Sequence, residues 1–259
     1  MELFSRHVGA RLCTARAFVL RSVDFGDTDR ILTLLTEPFG KMSAIARGAR
    51  VSKRRFVGLQ SHTLVKVGLR LGSSELGTLT QVDEVRAFPR VLRDLTKLTC
   101  ASAAFELVRE MVAPHEPDAR LFETAVELLE RLDDTTGRDE ELLLAFQVRV
   151  LALVGFAIGV EVCGRCRRGP GPEQAALFDP MSGSIICRAC GGGPLYIGGP
   201  TRVRLRETRG REWSNATLHQ SEVLSSGAME QLRSAIADFT RHRLDRELVG
   251  NRILAQVTR

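Results

Sequence analysis

The chain has 259 residues, of which 44% are hydrophobic, and a formal net charge of +6. It is long enough to bury a core in more than one domain. No run of eighteen apolar residues occurs, which excludes an ordinary membrane-spanning helix. The first residues, MELFSRHVGARLC, lack the uninterrupted apolar core of a secretory signal, so a cytoplasmic protein is expected. Charge is unevenly spread. Residues 1–90 carry 15 basic and 8 acidic side chains, residues 91–160 carry 7 and 13, and residues 161–259 carry 15 and 10. A basic head and tail around an acidic middle suit an anionic polymer partner, but an Arg-rich composition alone would look the same.

Residues 14–86 read as strands. TARAFVLRSV is followed by a turn at Gly26-Asp27, and ILTLLT ends at Glu37-Pro38-Phe39-Gly40. MSAIAR ends at Gly48. HTLVKVGLRL alternates around Leu64, Val65, Val67, Leu69 and Leu71 and closes at Gly72-Ser73-Ser74, and LGTLTQVDEV is fifth. Five short strands with Gly-rich turns suit an oligonucleotide-binding barrel, the OB-fold. At Pro89 the period changes. Leu92, Leu95, Leu98, Ala101, Phe105, Val108 and Val112 fall at helical spacing. Pro114 and Pro117 break the chain, and Asp118 is placed to cap a second helix. A third helix is expected over about 139–154 and a last long one over 222–248. The expected class is α+β, with an OB domain at 1–88 and a helical domain at 89–159. A cysteine-bearing insert follows at 160–195, and the helical domain resumes at 196–259.

The insert contains CGRCRRGPGPEQAALFDPMSGSIICRACGGG. Cys163, Cys166, Cys187 and Cys190 have the spacing C-x2-C-x20-C-x2-C, the pattern of a four-thiolate zinc ribbon. Gly191 after the second pair and Gly164 inside the first are expected to supply left-handed freedom. Asp179 to Gly183 reads as a hairpin turn that returns the second pair to the first. Four thiolates leave zinc no open position for water, so one structural zinc is expected rather than a catalytic one. Arg165, Arg167, Arg168 and Arg188 decorate the knuckles, either as phosphate contacts or as solvated surface. Cys13 and Cys100 stand alone in apolar surroundings and read as small buried hydrophobes.

Motifs for chemistry are missing. Gly40-Lys41 is followed by Met42 and lacks the upstream Gly of a phosphate loop. There is no H-E-x-x-H, no deaminase pattern and no G-x-S-x-G, and the five histidines lack metal-ligand spacing. A binding protein rather than an enzyme is expected. The most suggestive stretch is ARGARVSKRRF, where Arg47, Arg50, Lys53, Arg54 and Arg55 follow a strand of the expected barrel. Loops of this kind line nucleic-acid grooves in OB-folds; Phe56 lies beside these cations, and Phe25 and Phe39 near other turns, as candidates for stacking.

These stretches resemble the RecO family of bacterial recombination and repair proteins. The likeness runs in order through Gly26-Asp27-Thr28-Asp29-Arg30, LTLLT, Gly40, Gly48-Ala49-Arg50, ELGTLTQVDEV, the helical region and the paired cysteines. The tail RHRLDRELVGNRIL is similar more weakly, and residues 194–221 match poorly and receive no role. The chain departs from the family at Lys53-Arg54-Arg55, where Lys-Ser-Arg is common; the change adds charge. The resemblance implies an N-terminal OB-fold, a helical domain and an inserted zinc ribbon. It implies binding of single- and double-stranded DNA and annealing of complementary strands. The implied partners are RecR and the tail of single-strand-binding protein, with loading of the recombinase RecA as the outcome and no nucleotide hydrolysis. Two other readings stay open. One is a scaffold that docks the tail of single-strand-binding protein against a rim formed by Arg233, Arg241, Arg243 and Arg246. The other is a zinc-ribbon RNA-binding or transcription factor.

Overall fold

The computed structural model describes residues 11–52, 56, 59, 61–134, 137–171, 173–210 and 225–257. The alternating stretches at the N-terminal end become five strands: β1 (Arg11–Phe25), β2 (Asp29–Thr36), β3 (Gly40–Ala46), β4 (Leu64–Leu71) and β5 (Leu76–Arg86). They close into a barrel in the order β1-β2-β3-β5-β4, with β4 returning to β1. Neighbours are antiparallel except β3 and β5, which run parallel. This is the strand order of an OB-type barrel. Its interior follows from the period of two: Ala17, Val19, Leu32, Leu34, Met42, Ala44, Val65, Val67, Leu69 and Leu79 face one another. Small alanines on β1 and β3 share the interior with leucines and valines, the size alternation that a narrow barrel needs. A register shift between Val19 and Arg21 changes which face of β1 looks inward. Beyond it Arg21–Phe25 are exposed and run on with β2 as a hairpin arm.

The barrel unit comprises the chain up to Pro89 together with Val112–Val126. The second segment joins it for identifiable reasons. Gly40 has φ +65 and lies so close to the backbone at Glu116 and Pro117 that a Cβ would overlap it. The His115 N–H donates to the Lys41 carbonyl at 2.8 Å. Phe18 on the outer face of β1 is fully buried, with its ring 5.7 Å from that of Phe122. Arg16 lies 5.1 Å above Phe122 and pairs with Glu37 at 2.7 Å and Glu123 at 2.5 Å. The stretch around Pro114 and Pro117, expected as a break inside the helical domain at 89–159, thus packs with the barrel.

The second unit comprises Arg90–Met111 and Glu127–Arg259. Its helices are α1 (Pro89–Arg93), α2 (Leu95–Met111), α3 (Ala119–Asp134), α4 (Asp139–Leu153), α5 (Gly199–Gly210), α6 (Ser226–Leu244) and α7 (Val249–Val257). α1 and α3 each have residues in both units. The apolar run from Leu92 to Val112 is not one helix. The Asp94 carboxylate accepts the N–H groups of Thr96 and Lys97 at 2.9 and 3.1 Å and starts a new helix there. The break leaves Leu92 and Leu95 exposed, against the expected stripe, while Val91 is buried. Asp118 caps α3 as expected, accepting from Arg120 and Leu121. Ser225 caps α6, and the left-handed Asp245 ends it, so the helix expected over 222–248 stops at Leu244; residues 222–224 lie outside the described residues. The N–H groups of Val249 and Gly250 at the start of α7 donate to Glu106 on α2. No helix among the described residues is long and apolar enough to cross a membrane.

Candidate metal centre and nucleic-acid interface

The cysteine insert forms a small sheet in the order β7-β6-β8, from β6 (Ala176–Asp179), β7 (Ser184–Ile185) and β8 (Leu195–Ile197). Asp179 builds the turn, accepting from the N–H groups of Met181 and Ser182. The hairpin brings both cysteine pairs together. The Sγ atoms of Cys163, Cys166, Cys187 and Cys190 lie within 4.8 Å of one another, a group that could hold a metal ion. Cys166 and Cys187 sulfurs are 3.7 Å apart. A tetrahedral ion with Zn–S bonds of about 2.3 Å would place its sulfurs ~3.8 Å apart, so the donor set fits.

Local backbone favours thiolate. The Cys187 N–H donates to the Cys163 sulfur at 3.4 Å. Hydrogen bonds from the backbone N–H groups of Cys166 and Cys187 bring the Cys163 thiol down to about 6. A hydrogen bond to Arg168 N–H lowers Cys166 as well, whereas the neighbouring sulfurs of Cys187 and Cys166 push Cys190 up to about 12. Four thiols this close oppose one another's ionisation, and a divalent cation among them removes the opposition.

The two knuckles are alike in shape but not in sequence. Gly191 follows the second pair in the left-handed region, φ 108, as expected. The equivalent position after the first pair is Arg167, φ 64. Gly164 does not supply left-handed freedom; it sits close against the Ser184 side chain, where a Cβ would overlap the hydroxyl oxygen and lie 3.2 Å from the Ser184 Cβ. Arg165 donates to the Cys190 carbonyl at 2.7 Å and ties one knuckle to the other. Arg167, Arg168 and Arg188 are exposed. Of the lone cysteines, Cys100 is fully buried and its thiol is pushed up to about 12, mainly by burial. Cys13 is half-buried against the barrel core.

The stretch 194–221, to which the sequence assigns no role, supplies a brace. Arg202 on α5 is buried and donates to the carbonyls of Val160 and Gly171, each at 3.0 Å, and to that of Gln174. One guanidinium thus gathers the chain entering the ribbon and the loop inside it. Desolvation lowers its pKa, with Arg206 adding repulsion. No composition signal marks this arginine among its neighbours; only the three converging carbonyls do.

At the barrel, the turn Gly26–Thr28 and the segment after β3 interlock. The Asp29 carboxylate accepts the Gly48 N–H at 2.8 Å and the Thr28 hydroxyl at 2.9 Å, which hold it below the usual carboxylate range. The Arg50 N–H donates to the Thr28 carbonyl, and its guanidinium to the Gly26 carbonyl, both at 2.9 Å. Arg30 and Arg50 both pair with Asp24, at 3.0 and 3.4 Å. Arg50 is therefore a positioning residue for this corner as well as a surface charge, whereas Arg47 is exposed beside it. Lys53, Arg54 and Arg55 lie outside the described residues. Of the three phenylalanines, Phe56 is in the barrel core, Phe39 packs against that core, and Phe25 is 53% exposed at the end of β1. The arginines expected to rim a peptide groove are engaged within the helical unit. Arg233 pairs with Glu140 and Glu230, Arg241 with Asp238 and Arg246 with Glu110, while Arg243 lies over Phe156 and Phe239.

An OB-type barrel with a basic, interlocked corner, followed by helices carrying a four-cysteine ribbon, defines a class of protein built around a barrel commonly used to hold oligonucleotides. Residues 11–88 match the family model described as Recombination protein O N terminal, and residues 92–249 match Recombination protein O C terminal. The chain is 37% identical over 244 residues to a DNA repair protein RecO of Anaeromyxobacter sp. (strain Fw109-5), covering 92% of this chain and 94% of that one. It is 34% identical over 250 residues to a DNA repair protein RecO of Myxococcus xanthus (strain DK1622), covering 93% and 96%. The chain belongs to the RecO family of DNA repair proteins.

Proposed function

We propose that this chain is a recombination mediator without catalytic activity. It binds single- and double-stranded DNA, anneals complementary strands and helps load RecA onto strands coated by single-strand-binding protein. RecR and the tail of single-strand-binding protein are its protein partners, and the cytoplasm is its location. The observation that carries this reading is the interlocked barrel corner. Asp29, Gly48 and Arg50 interlock by hydrogen bonds at the start of the basic loop, and Arg47 and Arg50 are exposed there; Lys53, Arg54 and Arg55 lie outside the described residues. Fixed cations at a barrel mouth hold phosphates without base specificity, which is what annealing two strands of any sequence requires.

The ribbon holds one structural zinc on Cys163, Cys166, Cys187 and Cys190. When bound, the ion neutralises the cysteine thiolates and cross-links the two knuckles. The Arg165 contact ties the two knuckles together, and the Arg202 brace holds the chain before and after the first one. The test is annealing of complementary oligonucleotides, naked and coated with single-strand-binding protein. Accelerated pairing in both is expected. No acceleration in either would exclude the mediator reading.

A further inference from the structure

The ribbon sheet has two unlike faces. Pairing register puts Phe178 opposite Leu195 and Ala176 opposite Ile197, and these residues belong to or pack against the helical core. The same register puts Leu177 opposite Tyr196 on the other face. An outward face of an antiparallel sheet is ordinarily polar. Here Leu177 and Tyr196 make part of it apolar, beside Asp179 and Ser184 on the same face, and that part borders a cavity of about 450 Å³ lined by Leu177, Ile185 and Ile186 together with Cys163 and Cys187 of the cysteine cluster. Tyr196, the single tyrosine of the chain, lines this cavity and is 60% exposed. Each knuckle contributes one arginine to the lining, Arg168 from the first and Arg188 from the second. Both are exposed, and among the described residues neither has an ion-pair partner. The insert's described acids, Glu161, Glu173 and Asp179, do not line the cavity.

An exposed aromatic ring beside Leu177, with one arginine of each knuckle lining the same cavity, matches an unpaired nucleotide. The base stacks on the ring and the adjoining phosphates meet the guanidinium groups. We propose that the ribbon carries a second single-stranded DNA contact, with a base against Tyr196 and phosphates on Arg168 and Arg188. This rests on the DNA-binding reading above and adds a site separate from the barrel loop. Every base has a π-face, so the contact is tolerant of sequence; a base paired in a duplex is unavailable to it. The chemistry distinguishes strands that still need a partner from those already annealed.

The unique tyrosine makes the test direct. Full-length zinc-loaded protein carrying 3-fluorotyrosine has one ¹⁹F resonance, which is followed while total binding is read by fluorescence anisotropy. Titration with an oligo(dT) 15-mer is expected to shift that resonance, and a 15-mer of abasic sites or a blunt duplex is expected to leave it in place. Tyr196→Ala is expected to weaken oligo(dT) binding on the order of tenfold, with Tyr196→Phe binding like the parent. Arg168→Ser with Arg188→Ser is expected to reduce the shift at equal oligonucleotide. A resonance unmoved while anisotropy reports binding overturns the ribbon site and leaves the barrel reading intact. No binding by anisotropy counts against both. An equal shift with abasic DNA or duplex, or a shift only with an acidic peptide ending in phenylalanine, also overturns it.

Discussion

Three glycines of the barrel share a left-handed backbone but not their surroundings. Gly26 has φ +58, Gly48 φ +72 and Gly40 φ +65; the first two face open space, whereas a Cβ on Gly40 would lie 2.9 Å from Pro117 N and overlap the Glu116 carbonyl. Replacing any of them by Ala costs ~1–2 kcal/mol for the left-handed conformation. A stiffer unfolded chain offsets roughly 0.5–1 kcal/mol of this. Gly26→Ala and Gly48→Ala are therefore expected to lose about 1 kcal/mol. At Gly40 the overlap is with backbone, which cannot rotate away, so the 114–117 segment must shift. The shift breaks the His115 to Lys41 hydrogen bond, worth ~1 kcal/mol, and loosens Phe122 and Glu123 from Phe18 and Arg16. Gly40→Ala is expected to lose about 3–4 kcal/mol in all. The measurement is urea unfolding followed by hydrogen exchange of barrel amides, which separates the barrel from the helical unit. Equal losses for Gly40→Ala and Gly26→Ala, within about 0.5 kcal/mol, would refute the close approach as the reason for this glycine.

Acid should weaken the barrel through His62, whose burial lowers its pKa to about 4 from an ordinary 6.5. Above pH 6.5 both folded and unfolded forms are neutral; as pH falls from 6.5 towards 4 only the unfolded chain gains the proton, and ~3 kcal/mol of stability is lost. His62→Asn, which tolerates the left-handed φ of 65 at this position, is expected to flatten that part of the pH–stability curve, and an unchanged curve would clear His62 of the effect. Removing the Arg202 side chain takes a donor from the Val160, Gln174 and Gly171 carbonyls, of which Gly171 keeps the Gln174 N–H, so Arg202→Leu is expected to destabilise by about 2–4 kcal/mol, with exchange accelerated across 160–175. A variant as stable as the parent would show that water substitutes for the brace. Freshly purified protein is expected to release about one zinc per chain to a chelator, with the ribbon becoming sensitive to protease. Zinc-free protein with a protease-resistant ribbon would remove the metal centre.

The barrel and the cysteine centre were legible because both rest on strict local periods. Strand alternation put Leu32, Leu34, Val65, Val67 and Leu69 inside, and a two-residue gap within each cysteine pair set four sulfurs around one point. What the sequence concealed depends on contacts between distant segments. Asp94 looks like a polar residue on a helix face, yet it caps a new helix, which strands Leu92 and Leu95 at the surface. Val112–Val126 reads as helical-domain chain, yet Gly40 and Phe18 draw it to the barrel. Gly164 carries no mark that separates close approach from left-handed freedom, and Arg167 hides the knuckle position where glycine is usual. Arg202 is one arginine among several on its helix and gains meaning only from the carbonyls of Val160, Gly171 and Gln174. Arg50, read as a phosphate contact, also builds the corner that presents the loop.

The most direct test of the central claim is the salt dependence of single-stranded DNA binding by protein carrying Lys53→Ser, Arg54→Ser and Arg55→Ser together. Each phosphate contact on a single strand contributes ~0.7 to the slope of log K against log salt concentration. A basic loop that grips the backbone predicts weaker binding at low salt and a slope smaller by about 2. Unchanged affinity and an unchanged slope would place the DNA elsewhere on this chain and contradict the account.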